Sequence, residues 1–131
     1  MATAHTIAEL SSETVDKVAK EIDKYPEPRA AVKSALRYAQ AEHGWVSDSV
    51  VRAVAQLLNL EPIEVYEVAT FYDMFYTEPV GRHQLRVCTN ISCMLRGAGD
   101  IMELLQNKLD VEVGGMTADG RFTLFEAECL G

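Results

Sequence analysis

The chain has 131 residues and a formal net charge of −8 at pH 7. Hydrophobic residues make up 48% of it and charged residues 24%, which is typical of a globular protein with a packed core. The length fits one domain or two small ones. The acidic balance gives no basic surface for nucleic acid. No apolar run approaches the roughly 18 residues of a membrane span, and no signal peptide is readable, so we expect a cytoplasmic protein without direct membrane insertion.

Four short helices are predicted in residues 1–80. The first follows Ser11, the second ends at Gly44, the third follows Ser47 and the fourth begins at Pro62, because these residue types favour helix ends. Each helix is too short to be stable alone, so a small bundle is expected. The apolar residues expected to face its core are Val15, Val18, Ala19, Ile22, Val32, Ala35, Leu36, Ala39, Val50, Val51, Val54, Leu57, Leu58, Val65, Val68, Ala69 and Tyr72.

A cluster of Pro and Gly near residue 80 predicts a boundary between a helical domain, residues 1–80, and a second domain, residues 81–131. In the second domain, alternating and then helical spacing predicts a strand at 83–89, a helix at 94–109 and a strand at 121–129. The fold class is therefore mixed, α+β or α/β. Turns are expected at Gly114-Gly115 and Asp119-Gly120.

Three cysteines, Cys88, Cys93 and Cys129, lie in the second domain. An odd number of cysteines without a secretory signal disfavours a disulfide framework. If the two strands run parallel and a crossover helix joins them, their carboxyl ends meet at one sheet edge and the three sulfurs can converge. Clustered thiolates select iron-sulfur clusters or zinc. The alternative is three incidental thiols that pack as small hydrophobes.

The residues around Cys88 and Cys93 are suited to an anionic site. The loop 89–92 can offer backbone N–H groups, and a helix beginning at Cys93 would direct its positive dipole end toward the sulfurs. Arg96, in the first turn of that helix, is expected to be solvated rather than to serve the site.

Four motifs follow one another along the chain: HGWVS at 43–47, EVYEVATFYDMF at 64–75, VCTNISCMLRG at 87–97 and ECLG at 128–131. In this order they resemble those of the small 2Fe-2S subunit family of NADH:quinone oxidoreductase, complex I. The resemblance implies a helical bundle followed by a thioredoxin-like ferredoxin domain, in which Cys88, Cys93 and Cys129 match three ligands of a 2Fe-2S cluster. The family's C-L-G-A-C segment places a fourth cysteine beyond Gly131, so we expect this sequence to be incomplete at its C-terminus and its cluster to be labile.

The resemblance also implies a function and a setting. The chain would be an electron-transfer subunit, inactive alone, beside a flavoprotein subunit that binds FMN and NADH, and peripheral to the inner membrane through the complex. The alternatives are the equivalent subunit of an NAD-linked formate dehydrogenase or hydrogenase, or a non-redox module that stabilises the flavoprotein. The aromatic run at residues 66–76 would be a docking surface for the flavoprotein or part of the core.

Overall fold

A computed structural model describes residues 7–129. The chain divides into two compact units, Met1–Pro79 and Val80–Gly131. No helix within residues 7–129 is both long enough and apolar enough to cross a membrane. Leu130 and Gly131, which end the ECLG motif, lie outside the described residues.

The described part of the N-terminal unit is built from four α-helices, and local chemistry sets their ends. The Ser11 hydroxyl accepts a hydrogen bond from the first turn of the first helix, and the Ser47 hydroxyl does the same for the third. Gly44 ends the second helix in the left-handed conformation, and Pro62 begins the fourth. These four predicted boundaries are confirmed. The helices are α1 (Ser12–Ile22), α2 (Val32–His43), α3 (Asp48–Leu58) and α4 (Pro62–Phe71), with a 3-10 helix at Pro28–Ala31.

Consecutive helices pack on each other around one apolar core. Four residues of helix α2 are predicted to face the core, and all four are buried: Val32, Ala35, Leu36 and Ala39. In α1 the buried face passes through Thr14 and Val18, one turn apart, so Ala19 falls on the solvent side and its predicted burial was wrong. Thr14 tolerates burial because its hydroxyl accepts a hydrogen bond from Ser11.

Helix α4 ends at Phe71, earlier than the predicted end near Met74, because Tyr72 adopts an extended conformation. The Gln40 side chain fixes the chain that follows: its Nε2 donates to the carbonyl of Met74 and its Oε1 accepts from the N–H of Tyr76, both at 2.9 Å. Phe75 is thereby buried in the core, whereas Phe71 is 79% exposed. The aromatic run therefore supplies both core and surface.

The C-terminal unit is built from two parallel strands joined by helices. Strand β1 (His83–Cys88) pairs with β2 (Phe122–Ala127) from His83 opposite Phe122 to Cys88 opposite Ala127. The connection contains α5 (Ile91–Leu95) and α6 (Ala98–Leu109), where the sequence predicts one helix over 94–109. The single helix was wrong because Gly97, with a φ of 102°, takes a left-handed conformation that interrupts it.

The core of the C-terminal unit is small and depends on close backbone packing. Leu124, on β2, is fully buried in it. The N–H of Gly81 donates to the hydroxyl of buried Thr123 at 2.7 Å. A Cβ at Gly81 would lie 2.6 Å from the backbone carbonyl carbon of Phe122, so only glycine fits there. Residues 114–117 hydrogen-bond to the other side of β2 before the turn at Gly120 leads into that strand.

Candidate metal centre

The parallel pairing brings the three cysteines to one edge of the sheet, as predicted. Cys88 is the last residue of β1, and its partner Ala127 is the last residue of β2. The N–H of Thr89 donates to the carbonyl of Ala127 at 2.9 Å, which carries the pairing one step past the strands. Cys129 follows shortly after, on the same edge.

The Cys88 sulfur is the centre of this group. The backbone N–H of Asn90 donates to it, as does that of Cys129, and the Cys93 and Cys129 thiols also hydrogen-bond to it. These donors, with Asn90 the strongest, lower the pKa of Cys88 from 9.0 to about 7, because each stabilises the thiolate. The pKa of Cys93 is raised, because its thiol proton is held by the Cys88 sulfur. The site thus favours one thiolate, at Cys88, near neutral pH.

Cys93 and Cys129 therefore each lie within hydrogen-bond reach of the Cys88 sulfur, with Cys88 and Cys93 half-buried and Cys129 exposed. Among residues 7–129, no three His, Cys, Asp or Glu side chains are arranged to hold a single metal ion. A 2Fe-2S cluster is a different case, because it distributes four thiolates over two irons. The ligand roles of the three cysteines stay a prediction.

The chain around the first two cysteines differs in detail from the prediction. The N–H of Asn90 does serve the Cys88 sulfur, as expected of the 89–92 loop. The helix, however, does not begin at Cys93: α5 runs from Ile91 to Leu95 and is capped by Asn90, so Cys93 lies inside it. Backbone N–H groups, rather than a helix dipole aimed from Cys93, supply the electrostatic support that the structure shows.

A groove of about 360 Å³ opens beside Cys88 and Cys93. Arg86 and Arg96 contribute to its wall, and Arg96 is exposed, as the sequence predicts. The groove is lined by Arg86, Val87, Cys88, Cys93, Arg96, Ala98 and Ile101.

Sequence reasoning missed the role of the Asn90 side chain. Its Oδ1 accepts from the N–H of Ile91 at 2.7 Å, which caps α5. Its Nδ2 donates to the carbonyl of Cys129 at 2.7 Å and lies 3.6 Å from the Cys129 sulfur. Asparagine is a favoured N-cap, which could have revealed the first contact. The second depends on a residue 39 positions along the chain.

The donor set fits an iron-sulfur cluster in its chemistry. Thiolates are the ligands of such clusters, and N–H donors near the sulfurs stabilise their negative charge. The sequence contains three cysteines, whereas a fully cysteine-ligated 2Fe-2S cluster takes four. The residues present would supply three of these ligands if all three cysteines bind the cluster.

Three known proteins are similar to this chain over most of its length. An E-type subunit of NADH-quinone oxidoreductase from Rhizobium meliloti is 47% identical over 108 residues, which are 82% of this chain and 64% of that protein. The E-type subunit of the Escherichia coli NADH-quinone oxidoreductase is 40% identical over 123 residues, 94% of this chain and 74% of that protein. A mitochondrial NADH dehydrogenase flavoprotein 2 of Dictyostelium discoideum is 39% identical over 130 residues, 97% of this chain and 53% of that protein.

The chain thus spans about two thirds of the length of the first of these relatives and about half of the last. The match to the family covers residues 18–131, so it includes helices of the N-terminal unit as well as the cysteine site. With the parallel strands and the converging thiols, this match shows that the chain belongs to the thioredoxin-like 2Fe-2S ferredoxin family.

Proposed function

We propose that this chain is the electron-transfer subunit of an NADH-quinone oxidoreductase and that Cys88, Cys93 and Cys129 are ligands of its 2Fe-2S cluster. The observation that carries the proposal is the contact of the Cys88 sulfur with the other two thiols at one sheet edge, in a chain of a 2Fe-2S family. The names of the relatives from Rhizobium meliloti and Escherichia coli support the host complex. When bound, the cluster supplies one-electron transfer.

In this proposal the chain binds and surrounds the cluster and makes or breaks no bond of a substrate. Cys88, already a thiolate near neutral pH, is the first ligand available to iron. The N–H groups of Asn90 and Cys129 stabilise charge on its sulfur.

The partner in this proposal is a flavoprotein subunit that carries FMN and binds NADH, and the chain has no activity alone. Exposed apolar side chains on α4 support a protein partner, since Ile63 is 62% exposed, Tyr66 48% and Phe71 79%. Residues 1–80 would form the domain that contacts this partner and residues 81–131 the domain that carries electrons. The chain would lie in the cytoplasm, held at the inner membrane through the complex.

The names of these relatives favour NADH-quinone oxidoreductase over a formate dehydrogenase or a hydrogenase. The other alternative is a module that stabilises the flavoprotein without carrying electrons. The two functions differ in one requirement, because only electron transfer needs the sulfur site to bind iron.

Anaerobic reconstitution with iron and sulfide tests the proposal. The purified chain is reconstituted with and without 2-mercaptoethanol, which can supply the missing fourth thiolate, and is then analysed for iron, for sulfide and by EPR after reduction. We expect a 2Fe-2S signal that is retained while the added thiol is present and is lost after desalting. A full cluster that survives without the added thiol would contradict the expected lability.

A matched pair of variants separates redox function from assembly. Cys88→Ser removes the central thiolate, whereas Ser92→Ala replaces an exposed residue of α5 that is not a proposed ligand. We expect Cys88→Ser to abolish the iron signal and Ser92→Ala to preserve it. If Cys88→Ser binds as much iron as the unchanged chain, the electron-transfer proposal fails and the stabilising module becomes the better explanation.

A further inference from the structure

We propose that Asn90 is a positioning residue: its side-chain amide holds Cys129 beside the Cys88–Cys93 loop and donates a hydrogen bond to the Cys129 sulfur. The inference rests on the proposed function in one respect, because it takes Cys129 as a ligand of the cluster. The positioning itself concerns hydrogen bonds of the metal-free chain and can be tested there.

The two ends of the Asn90 side chain serve two different segments. The Oδ1 atom accepts from the N–H of Ile91 at 2.7 Å, which fixes the side chain at the start of α5. The Nδ2 atom donates to the carbonyl of Cys129 at 2.7 Å. The same nitrogen lies 3.6 Å from the Cys129 sulfur, within reach of an N–H···S hydrogen bond. One planar amide therefore joins the loop after β1 to the segment after β2.

The position of Cys129 explains why such a link matters. Cys88 is held by the strand pairing and Cys93 by α5. Cys129 lies past the end of β2, is exposed, and is joined to the end of β1 through the hydrogen bonds of its N–H and thiol to the Cys88 sulfur. The last backbone bond between the strand extensions runs from Thr89 to the carbonyl of Ala127. The Asn90 amide continues the connection at the point where the β-sheet pairing ends.

An amide also suits the chemistry of the sulfur. An Nδ2–H donor stabilises negative charge on a thiolate without competing as a ligand, as an aspartate would. Groups that orient and hydrogen-bond metal ligands affect metal affinity even though they do not touch the metal. Asn90 is thus placed to order the third cysteine before a metal arrives and to support its charge afterwards.

Two substitutions remove the donor and keep the cap. Asn90→Ser and Asn90→Asp both retain an oxygen that can cap α5, but neither offers an N–H to Cys129. Asn107→Ser, at an exposed position of α6, is the matched control in the same unit. The three variants and the unchanged chain are compared in the reduced, metal-free state.

The first measurement is NMR relaxation of the Cys129 amide. We expect Cys129 to be as ordered as β2 in the unchanged chain and in Asn107→Ser, and to become mobile in both Asn90 variants while the β1 and β2 amides keep their order. A cross-peak between the Asn90 side-chain amide and Cys129 in the unchanged chain tests the contact directly, even if a variant fails to fold. Unchanged order of Cys129 in both variants, or absence of that cross-peak, would overturn the proposal.

The second measurement is a titration with Cd²⁺, followed by thiolate-to-metal charge-transfer absorbance, which a purely helix-capping role would not alter. We expect affinity to fall about ten-fold in Asn90→Ser and to stay unchanged in Asn107→Ser. Equal affinity in Asn90→Ser and the unchanged chain would refute the positioning role. If the unchanged chain binds no Cd²⁺, its three sulfurs do not converge on a single ion, and the relaxation data and the cross-peak decide whether Asn90 orders Cys129.

Discussion

The thiol of Cys88 should react with an alkylating reagent at a lower pH than an ordinary cysteine. Backbone N–H donors, that of Asn90 foremost, lower its pKa from 9.0 to about 7, and the proton that Cys93 shares with it contributes as well. The experiment varies the pH across the neutral range, where the Cys88 thiol changes from its protonated to its ionised form. Because the thiolate is the nucleophile, the rate of alkylation follows ionisation.

The size of the effect follows from the pKa. At pH 7 a thiol of pKa 9.0 is about 1% ionised, whereas Cys88, with a pKa of about 7, is about half ionised, a gain of about 50-fold. A thiolate of lower pKa is a weaker nucleophile, and a Brønsted slope of about 0.45 over this shift costs about eight-fold in rate. The expected net acceleration at pH 7 is therefore about six-fold, the quotient of those two factors.

The assay is iodoacetamide labelling of the reduced, metal-free chain at a series of pH values, with each cysteine quantified by peptide mass spectrometry. Cys93 is the internal comparison, because its raised pKa delays its labelling to higher pH. The chain unfolded in urea is the external control, since unfolding removes the hydrogen bonds that lower the pKa of Cys88.

The lowered pKa of Cys88 also determines how its contribution to the stability of the folded chain changes with pH. The pKa of Cys88 is lower in the folded chain than its ordinary value, so its contribution is fully present above the ordinary pKa and is lost as the pH falls through about 7. If Cys88 in the folded chain labels with the midpoint of the unfolded control, or after Cys93, the N–H donors do not act on its sulfur as described.

Three substitutions and one control test the packing and one helix end by urea denaturation. Leu36→Ala, at a fully buried position of α2, should lower the free energy of unfolding of the N-terminal unit by about 2–5 kcal/mol, whereas Ile63→Ala, on the exposed face of α4, should leave it nearly unchanged; equal effects would contradict the assigned core. Gly81→Ala should destabilise the C-terminal unit, because its Cβ would meet the Phe122 backbone at 2.6 Å; NMR signals of β1 and β2 that stay unshifted would show that the contact is absent. Ser47→Ala should cost about 1 kcal/mol through loss of the N-cap of α3, and a helix that keeps its stability would exclude that cap.

The sequence predicted those features that a few neighbouring residues determine. Gly44, Ser47 and Pro62 mark helix ends because each has a local preference for that position, and the structure confirms all three. The buried face of α2 was predictable for a similar reason, since the helical spacing of its apolar residues alone shows which side of the helix they share. The parallel pairing of β1 and β2 followed from the strand–helix–strand order.

Features that depend on distant parts of the chain were missed. Apolar spacing continues across Gly97, so the break between α5 and α6 is invisible to periodicity, although glycine there has a φ of 102°. Ala19 is exposed because packing selects a face of α1 through Thr14. The link from Asn90 to Cys129 joins residues that only the folded sheet brings together.

The parallel register of β1 and β2 also sets the order of events during synthesis. Cys88 and Cys93 leave the ribosome well before β2, and the third sulfur cannot join them until the crossover has closed. Pairing of strands so far apart along the chain is intrinsically slow, because the entropy of loop closure is lost before the contacts between the strands stabilise the fold. Maturation of the thiol site is therefore a late step, and a nascent chain interrupted inside β2 presents two reactive thiols without the third.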